Sequence, residues 1–168
     1  MLNIKIIKSD ITNLQVDVIV NAANKTLLGG SGVDGAIHKA AGDRLLIECK
    51  KLNGCKVGQA KITSAYNIPI KKIIHTVGPI WKNGNFNESY YLSQCYINCL
   101  TLAKKNHLST IAFPAISTGV YRFPIHLACS IAINSILNFE DLDYFHTIYL
   151  VCFNDEVYNT YSSIKKKL

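Results

Sequence analysis

One stretch of the chain, from Val20 to Gly42, constrains the possible folds and ligands more than any other part of the sequence. An apolar run reaches Val20 and leads into Asn21 and Asn24; a glycine-rich turn follows, and Asp34 stands where a helix of small residues begins. Glycines let backbone N–H groups approach an anion, and a helix N-terminus adds partial positive charge. This order of strand, polar tip, loop and helix predicts an α/β fold that holds a phosphate ester.

Two common phosphate-binding motifs are excluded by the same stretch. No G-K-[ST] follows the glycines, so it is not a P-loop, and their spacing does not give the G-x-G-x-x-G of dinucleotide-binding folds. The predicted phosphate ester must therefore be held in another way.

The length and composition favour one globular domain over residues 1–168, since 49% of the 168 residues are hydrophobic. No apolar run approaches the length of a membrane span, and the alternating start M-L-N-I-K-I-I-K-S-D does not resemble a signal peptide. We expect no membrane association, a cytoplasmic location and a monomer.

Cysteine spacing argues against a metal site. The six cysteines are scattered without a C-x-x-C pair, which is typical of reduced, buried thiols. Cys95 and Cys99 would share a helix face, but two thiols without a matching histidine pair are a weak zinc signal. We expect neither a metal nor a cofactor.

The formal net charge of +7 suits a nucleotide ligand and permits RNA or DNA. The lysines, however, lie in separated pairs and a short tail, and no segment combines basic residues with stacking aromatics. A solvated lysine surface explains this pattern better than a nucleic-acid site.

Hydrophobic periodicity predicts alternating strands and helices. Strands are predicted at residues 4–7, 17–20, 60–64, 73–77, 110–113 and 147–153. Helices are predicted at residues 34–41, 44–51, 88–106, 125–137 (opened by Pro124) and 156–164, with a loop at 81–87. This order predicts a three-layer α/β/α sandwich with a mixed, largely parallel sheet, whose ligands gather at the carboxyl ends of the strands.

Polar or small groups follow four of these strands and predict one continuous cleft. The groups are Asp10 and Ile11 after the first strand, Asn21 and Asn24 after the second, the loop 117–121, and Phe153 after the last strand.

These groups belong to motifs that together resemble the macrodomain family, in particular its MacroD-type ADP-ribosyl hydrolases. The motifs are S-D-I-T at 9–12, V-N-A-A-N at 20–24, G-G-S-G-V-D-G-A-I-H at 29–38, I-I-H-T-V-G-P at 73–79, F-P-A-I-S-T-G-V-Y at 113–121 and V-C-F at 151–153. The resemblance implies a macrodomain fold that binds ADP-ribose. It also implies hydrolysis of ADP-ribose esters on acidic side chains of proteins, and deacetylation of O-acetyl-ADP-ribose.

The resemblance also implies where the adenine lies. Asp10 would accept a hydrogen bond from the exocyclic amine beside the backbone N–H of Ile11, and Phe153 would lie against the adenine face. The residue types alone leave two other interpretations open: Asp10 as the cap of a turn and Phe153 as a core aromatic.

Two loops would clamp the diphosphate through their backbone N–H groups. They comprise Gly29, Gly30, Ser31, Gly32 and Val33 in the first loop, and Ser117, Thr118, Gly119, Val120 and Tyr121 in the second. Tyr121 would also pack over the distal ribose. The second loop could equally be a plain turn bent at Gly119, and Tyr121 could be a core or surface residue.

Asn24 and Asp34 are the candidates for catalysis by this resemblance. Asn24 would orient the hydroxyls of the distal ribose, and Asp34 would position or deprotonate a water aimed at the anomeric carbon, with the diphosphate assisting. The alternative for Asp34 is a helix N-cap without chemistry. Asn21 would mainly support the loop by hydrogen bonding, with a secondary contact to the ribose.

Other polar residues favour structural roles. His38 lies one turn after Asp34, so a water-mediated dyad is possible, although packing on the sheet fits a histidine there better. His75, inside a strand, should make core hydrogen bonds, and Glu48 should pair in a salt bridge. Ser117 lacks a G-x-S-x-G elbow and is not expected to be a nucleophile.

The chain departs from the family pattern at Ser9 and Ser31, where glycine is usual. Ser31 has less backbone freedom than glycine. We expect ADP-ribose binding to be retained, whereas the sequence does not predict the turnover rate. Three functions remain: a hydrolase of ADP-ribose esters, a module that binds ADP-ribose without cleaving it, and an RNA-associated protein that exploits the positive charge.

Overall fold

A computed structural model describes residues 3–168 and contains one mixed sheet flanked by helices. The sheet has six strands in the order β1-β6-β5-β2-β4-β3. The strands are β1 (Asn3–Lys8), β2 (Val18–Ala23), β3 (Ala60–Ser64), β4 (Lys72–Val77), β5 (Thr110–Pro114) and β6 (Thr147–Cys152). Neighbouring strands pair in parallel except β3, which runs antiparallel to β4 at one edge.

Within the described residues, five α-helices connect and cover the strands. They are α1 (Gly32–Ala41), α2 (Asp43–Lys51), α3 (Glu88–Lys105), α4 (Ile125–Leu137) and α5 (Asp155–Lys166), with short 3-10 turns at Ile11–Asn13 and Leu142–Tyr144. Pro124 occupies the cap position of α4, and Asn154 caps α5 by accepting a hydrogen bond from the Val157 N–H at 3.0 Å. The predicted α/β/α sandwich with a largely parallel sheet is confirmed.

Two apolar cores lie on opposite faces of the sheet because successive strand residues point to opposite sides. In β2, Ile19 packs into the core beneath α1 and α2, whereas Val18 and Val20 pack into the core shared with α3, α4 and α5. Both faces of the central strands are therefore dry, as expected for strands covered by helices on two sides.

The element boundaries differ from the sequence prediction at the residues that matter most for function. Strand β2 does not end at Val20 but continues through Ala23, so Asn21 lies within the sheet and pairs in register with His75. The strand continues because the Asn21 side chain finds buried polar partners. Helix α1 begins at Gly32, two residues before the predicted start.

Among residues 3–168, no helix combines the length and the apolar character that crossing a bilayer requires. Within that same range, no three histidine, cysteine, aspartate or glutamate side chains gather where they could hold a metal ion.

Candidate functional site

The four predicted strand tips share one edge of the sheet, namely the edge formed by the carboxyl ends of its parallel strands. Strands β1, β6, β5 and β2 are consecutive neighbours and run parallel, so their carboxyl ends lie side by side. The 3-10 turn Ile11–Asn13 contacts α1 and β5. The loop after β4 joins this edge as well, because the Trp81 N–H donates to the Tyr121 carbonyl at 2.8 Å.

Asp34 is a buried carboxylate at this edge, with only 5% of its surface exposed. It is the third residue of α1, and the cap position belongs to Ser31, so the interpretation of Asp34 as the N-cap is wrong. Its Oδ1 accepts a hydrogen bond from Asn21 Nδ2 at 2.8 Å, and His38 Nε2 lies 3.5 Å from the same oxygen. A β-carbon placed on Gly30 would lie 3.1 Å from Oδ2. Asp34 Oδ1 is thus hydrogen-bonded within the protein, whereas Oδ2 faces the loop that contains Gly30.

Burial raises the pKa of Asp34, while the hydrogen bond from Asn21 and the nearby His38 oppose this rise. A higher pKa makes the carboxylate a stronger base toward a bound water. The environment of Asp34 is therefore suited to general-base chemistry.

Asn21 lies fully buried beneath Asp34. Its Nδ2 contacts both Asp34 Oδ1, at 2.8 Å, and His75 Nδ1, at 3.1 Å. The supporting role expected of Asn21 is thus seen in the contacts, although it supports a carboxylate rather than the loop. The expected secondary contact to ribose is not favoured, because no part of Asn21 reaches the surface.

Asn24 is half-buried and organises the loop that follows β2. Its Oδ1 accepts hydrogen bonds from the Thr26 N–H at 3.1 Å and the Thr26 hydroxyl at 2.6 Å, and its Nδ2 donates to the Gly29 carbonyl at 3.0 Å. A β-carbon on Gly30 would lie 3.6 Å from Asn24 Nδ2. Asn24 and Asp34 therefore approach the same glycine from two sides.

The first predicted loop leaves a run of backbone donors unpaired. In the described part of the chain, no hydrogen bond is made by the N–H groups of Gly29, Gly30, Ser31, Gly32 and Val33. Gly35 provides the first paired N–H of α1, which donates to the Ser31 carbonyl at 3.2 Å. Unpaired donors at a helix N-terminus are a ready site for an anion.

The second predicted loop presents a similar set after β5. Over the described residues, the N–H groups of Ser117, Gly119, Val120 and Tyr121 make no hydrogen bond. The loop is closed on itself, because the Phe123 N–H donates to the Ser117 carbonyl at 2.9 Å and the Thr118 hydroxyl donates to the Ala115 carbonyl at 2.8 Å. Val120 is 80% exposed.

Ser117 adopts a backbone φ of +67°, which is uncommon for a residue with a side chain. Its hydroxyl is packed so closely on Gly78 that a β-carbon there would lie 2.2 Å from Oγ. Gly78, within the I-I-H-T-V-G-P motif, is thus the residue that lets the loop after β5 fold against the end of β4. The motif alone does not reveal this contact, because it joins two loops that are distant in the sequence.

Three buried side-chain polar atoms lack a hydrogen-bond partner among the described residues, and all three belong to this edge of the sheet. Among the residues that the structure describes, they are Asn21 Oδ1, His38 Nε2 and Ser117 Oγ. Buried polar groups are nearly always paired in native proteins, so a cluster of unpaired ones marks a polar site.

Asp10 and Phe153 lie at the other end of the same edge. Asp10 caps the 3-10 turn, because its Oδ1 accepts from the Thr12 N–H at 2.9 Å and from the Thr12 hydroxyl at 2.7 Å. This is the capping role left open above, and Oδ2 has no partner among residues 3–168. Ile11 is buried at 4% exposure. Phe153 is 92% exposed just beyond β6, so its interpretation as a core residue is wrong.

Two glutamates have roles that the sequence did not indicate. Glu48 pairs with no cation in the described residues, so the expected salt bridge is wrong; its carboxylate accepts from the Ser64 N–H at 3.0 Å and the Tyr66 hydroxyl at 2.7 Å. Glu88 is buried and accepts from the N–H groups of Lys82 and Gly84 at 2.9 and 2.8 Å. Glu88 thus fixes the predicted loop 81–87.

A cavity of about 780 Å³ lies away from this site, beside Asn3, Phe145 and His146. These residues mark the amino ends of β1 and β6, opposite to the strand tips described above. Its lining includes no buried carboxylate and none of the three unpaired buried side-chain atoms of the other edge. We therefore place the functional site at the carboxyl ends of the strands.

The fold and site define an α/β/α protein with two loops of backbone donors and a buried carboxylate beside the first loop. The sequence model of the Macro domain matches residues 20–132. A Macro domain-containing protein of Methanosarcina mazei is 54% identical over 98% of this chain and 87% of its own. The chain therefore belongs to the macrodomain family.

A named relative and a solved structure add detail. The O-acetyl-ADP-ribose deacetylase of Escherichia fergusonii is 48% identical, over 96% of this chain and 94% of its own length. A mutant of the Oceanobacillus iheyensis macrodomain with ADPR superposes with a TM-score of 0.92 at 44% identity, covering 96% of this chain and 91% of that one.

Proposed function

We propose that this macrodomain binds ADP-ribose and hydrolyses its esters, with Asn24 and Asp34 as the catalytic residues. The substrates would be O-acetyl-ADP-ribose and mono-ADP-ribose esterified to acidic side chains of proteins. The observation that supports this most is the buried carboxylate of Asp34 beside Gly30, in a loop of unpaired backbone N–H groups.

The unpaired N–H groups suit a diphosphate. Hydrogen bonds to a charged group are each worth about 1.5–3 kcal/mol, so several backbone donors can hold the anion without an arginine. The partial positive charge at the start of α1 adds to this attraction. The relatives whose printed names or titles include O-acetyl-ADP-ribose or ADPR agree with such a ligand.

Asp34 suits the hydrolytic step. Its Oδ1 is held by Asn21, so Oδ2 is the atom that would accept a proton from water beside Gly30. The oxygen of that water would bond to the anomeric carbon of an ester-linked ADP-ribose, or to the acetyl carbonyl carbon of O-acetyl-ADP-ribose, as the bond from that carbon to the leaving oxygen breaks. The proton held by Asp34 would pass to the leaving oxygen, releasing ADP-ribose and the free carboxylic acid. The diphosphate, held nearby, would assist in activating the water.

A module that binds ADP-ribose without cleaving it is the second candidate. One observation favours it: both polar atoms of the Asn24 amide are already engaged with Thr26 and Gly29. Asn24 would then serve to shape the loop and need not act on substrate.

Calorimetry and turnover measurements separate these functions. We expect ADP-ribose to bind, and both Asp34→Ala and Asn24→Ala to reduce turnover of O-acetyl-ADP-ribose more than about tenfold, with a smaller loss of affinity, because only the transition state uses these groups fully. Binding without turnover would support the non-catalytic module. Absence of binding at tens of micromolar would contradict both.

Glu48→Gln provides the matched control for these variants. It also alters a carboxylate on a neighbouring helix, but that group holds Ser64 and Tyr66 and lies outside the two loops. We expect it to leave turnover unchanged. Full activity in Asp34→Ala would show that the catalytic assignment is wrong.

A further inference from the structure

The polar contacts of Asp34 continue behind it into the sheet, through buried side chains. Asn21 of β2 contacts His75 of β4, its register partner in the next strand. His75 in turn contacts Thr63 of the edge strand β3, with its Nε2 lying 2.9 Å from Thr63 Oγ1. All three side chains are buried, at 0–2% exposure.

The direction of each hydrogen bond in this chain is determined by chemistry. An ionised carboxylate only accepts, so the Asn21 atom that lies 2.8 Å from Asp34 Oδ1 must be the amide nitrogen. The second hydrogen of that nitrogen points to His75 Nδ1, at 3.1 Å. His75 Nδ1 must therefore accept, and the ring proton must be on Nε2, where it donates to the Thr63 hydroxyl.

The surroundings of His75 favour this neutral ring. Burial, with a smaller contribution from the neighbouring His38, lowers the pKa of His75 to about 3. A protonated ring would place an N–H at Nδ1 directly against the N–H of Asn21.

The same geometry fixes the Asn21 amide. Rotating the amide by half a turn would place Oδ1 against two acceptors, the Asp34 carboxylate and the Nδ1 lone pair of His75. We propose that Thr63 and His75 are positioning residues: they lock the Asn21 amide so that it holds Asp34 Oδ1 and leaves Oδ2 directed to the loop. This inference rests on the proposed role of Asp34 in hydrolysis.

Thr63→Val is the sharpest variant, because it removes the hydroxyl while preserving the shape of the side chain. We expect kcat for O-acetyl-ADP-ribose to fall about three- to tenfold, as for the loss of one buried hydrogen bond, while KM and ADP-ribose affinity change less than about twofold. Thr76→Val is the matched control, since Thr76 is a buried threonine beside His75 whose hydroxyl donates to the Gln59 carbonyl at 2.8 Å. We expect Thr76→Val to retain wild-type kcat.

Two variants of His75 test the acceptor itself. His75→Asn retains an acceptor near the place of Nδ1, and His75→Leu does not. We expect kcat to fall more than about tenfold in His75→Leu and to recover most of that loss in His75→Asn. If His75→Leu does not fold, Thr63→Val decides the question. Wild-type kcat in Thr63→Val would overturn the proposal.

Nuclear magnetic resonance provides a readout that does not depend on turnover. Imidazole nitrogen spectra should show the proton of His75 on Nε2, and a proton on Nδ1 would overturn the proposal. Carboxyl carbon titration should show a higher pKa for Asp34 in Thr63→Val than in wild type, because a loosened Asn21 supports the ionised form less. An unchanged Asp34 titration would contradict the positioning role even if the protein proves to be a non-catalytic binder.

Discussion

Phe153 is a residue whose exposure, rather than its type, indicates a ligand role. The strand pattern of β6 is apolar and ends at Cys152, and a phenylalanine in that position is normally part of a core. The structure instead leaves 92% of its surface exposed beside the turn that carries Asp10. A large aromatic side chain in water is available to stack on a purine.

We expect Phe153→Ala to weaken ADP-ribose binding about tenfold, because stacking of a base on an aromatic ring contributes roughly 1–3 kcal/mol. The free energy of unfolding should not change, since the ring packs against little in the free protein. Calorimetry and urea denaturation measure the two quantities.

Phe86→Ala is the control for this substitution. Phe86 is also exposed, at 63%, but belongs to the loop before α3 and not to the proposed adenine site. Equal losses of affinity in the two variants would contradict a stacking role for Phe153.

At the residue scale, sequence reasoning identified individual groups but not their partners. Asp34 and Asn24 stood out because they flank a glycine-rich turn. The unpaired state of Ser117 Oγ and its contact with Gly78 could not be predicted, because these depend on how two loops pack together.

Helix α1 packs against the loop that precedes it through a glycine. A β-carbon on Gly35 would lie 2.5 Å from the Gly30 carbonyl oxygen, well inside contact distance. This close approach brings the first loop over the start of α1, next to Asp34. The packing of α1 against this loop thus requires glycine at position 35, although a helix interior normally disfavours glycine.

We expect Gly35→Ala to lower the free energy of unfolding by about 1–3 kcal/mol, as overpacking does, despite a gain of about 1 kcal/mol in helix propensity. Chemical denaturation checks this value. Gly119→Ala is the matched control, because its φ is not positive and nothing lies within 4 Å of the added carbon. A higher free energy of unfolding in Gly35→Ala would show that the loop containing Gly30 shifts to accommodate the added carbon.

At the element scale, most strands and helices could be predicted from periodicity, because their apolar residues face two covered sides of one sheet. The antiparallel direction of β3 could not, since it depends on pairing with β4 rather than on its own residues. The extension of β2 through Asn21 was missed for a similar reason: its partner His75 lies 54 residues further along the chain. The sequence signal for this extension is Asn21 itself, a polar residue that directly follows the apolar residues of β2.

For the whole molecule, the buried neutral His75 makes stability depend on pH. In the unfolded chain the ring has its ordinary pKa of 6.5, whereas burial lowers it to about 3 in the folded protein. Between these values the unfolded state binds one more proton, so acid favours unfolding.

We expect the free energy of unfolding to decrease as pH falls below about 6.5, by roughly 1 kcal/mol per pH unit. Urea denaturation between pH 7 and about pH 5 measures this, above the ordinary pKa values of carboxyl groups. His75→Asn should flatten the dependence, and His126→Asn, at an exposed position of α4, should retain it. An equally steep decrease in His75→Asn would exclude His75 as the cause.

The predictions of a monomer and of a cytoplasmic location stay predictions. The net charge of +7 is distributed over separated lysines, several of which pair with acids: Lys71 Nζ lies 3.3 Å from Asp17 Oδ1, and Lys104 Nζ lies 2.8 Å from Asp141 Oδ2. This distribution agrees with a solvated basic surface.

All six cysteines are unpaired and buried, and burial raises the pKa of each thiol. Thiolates are the reactive species. These side chains therefore react slowly for two reasons: reagents cannot reach them, and their raised pKa values keep them protonated. An engineered cysteine on the outer surface would therefore be the preferred target of a bulky maleimide dye. Fluorescent labels for distance measurements across the candidate site can thus be attached without first deleting any natural cysteine.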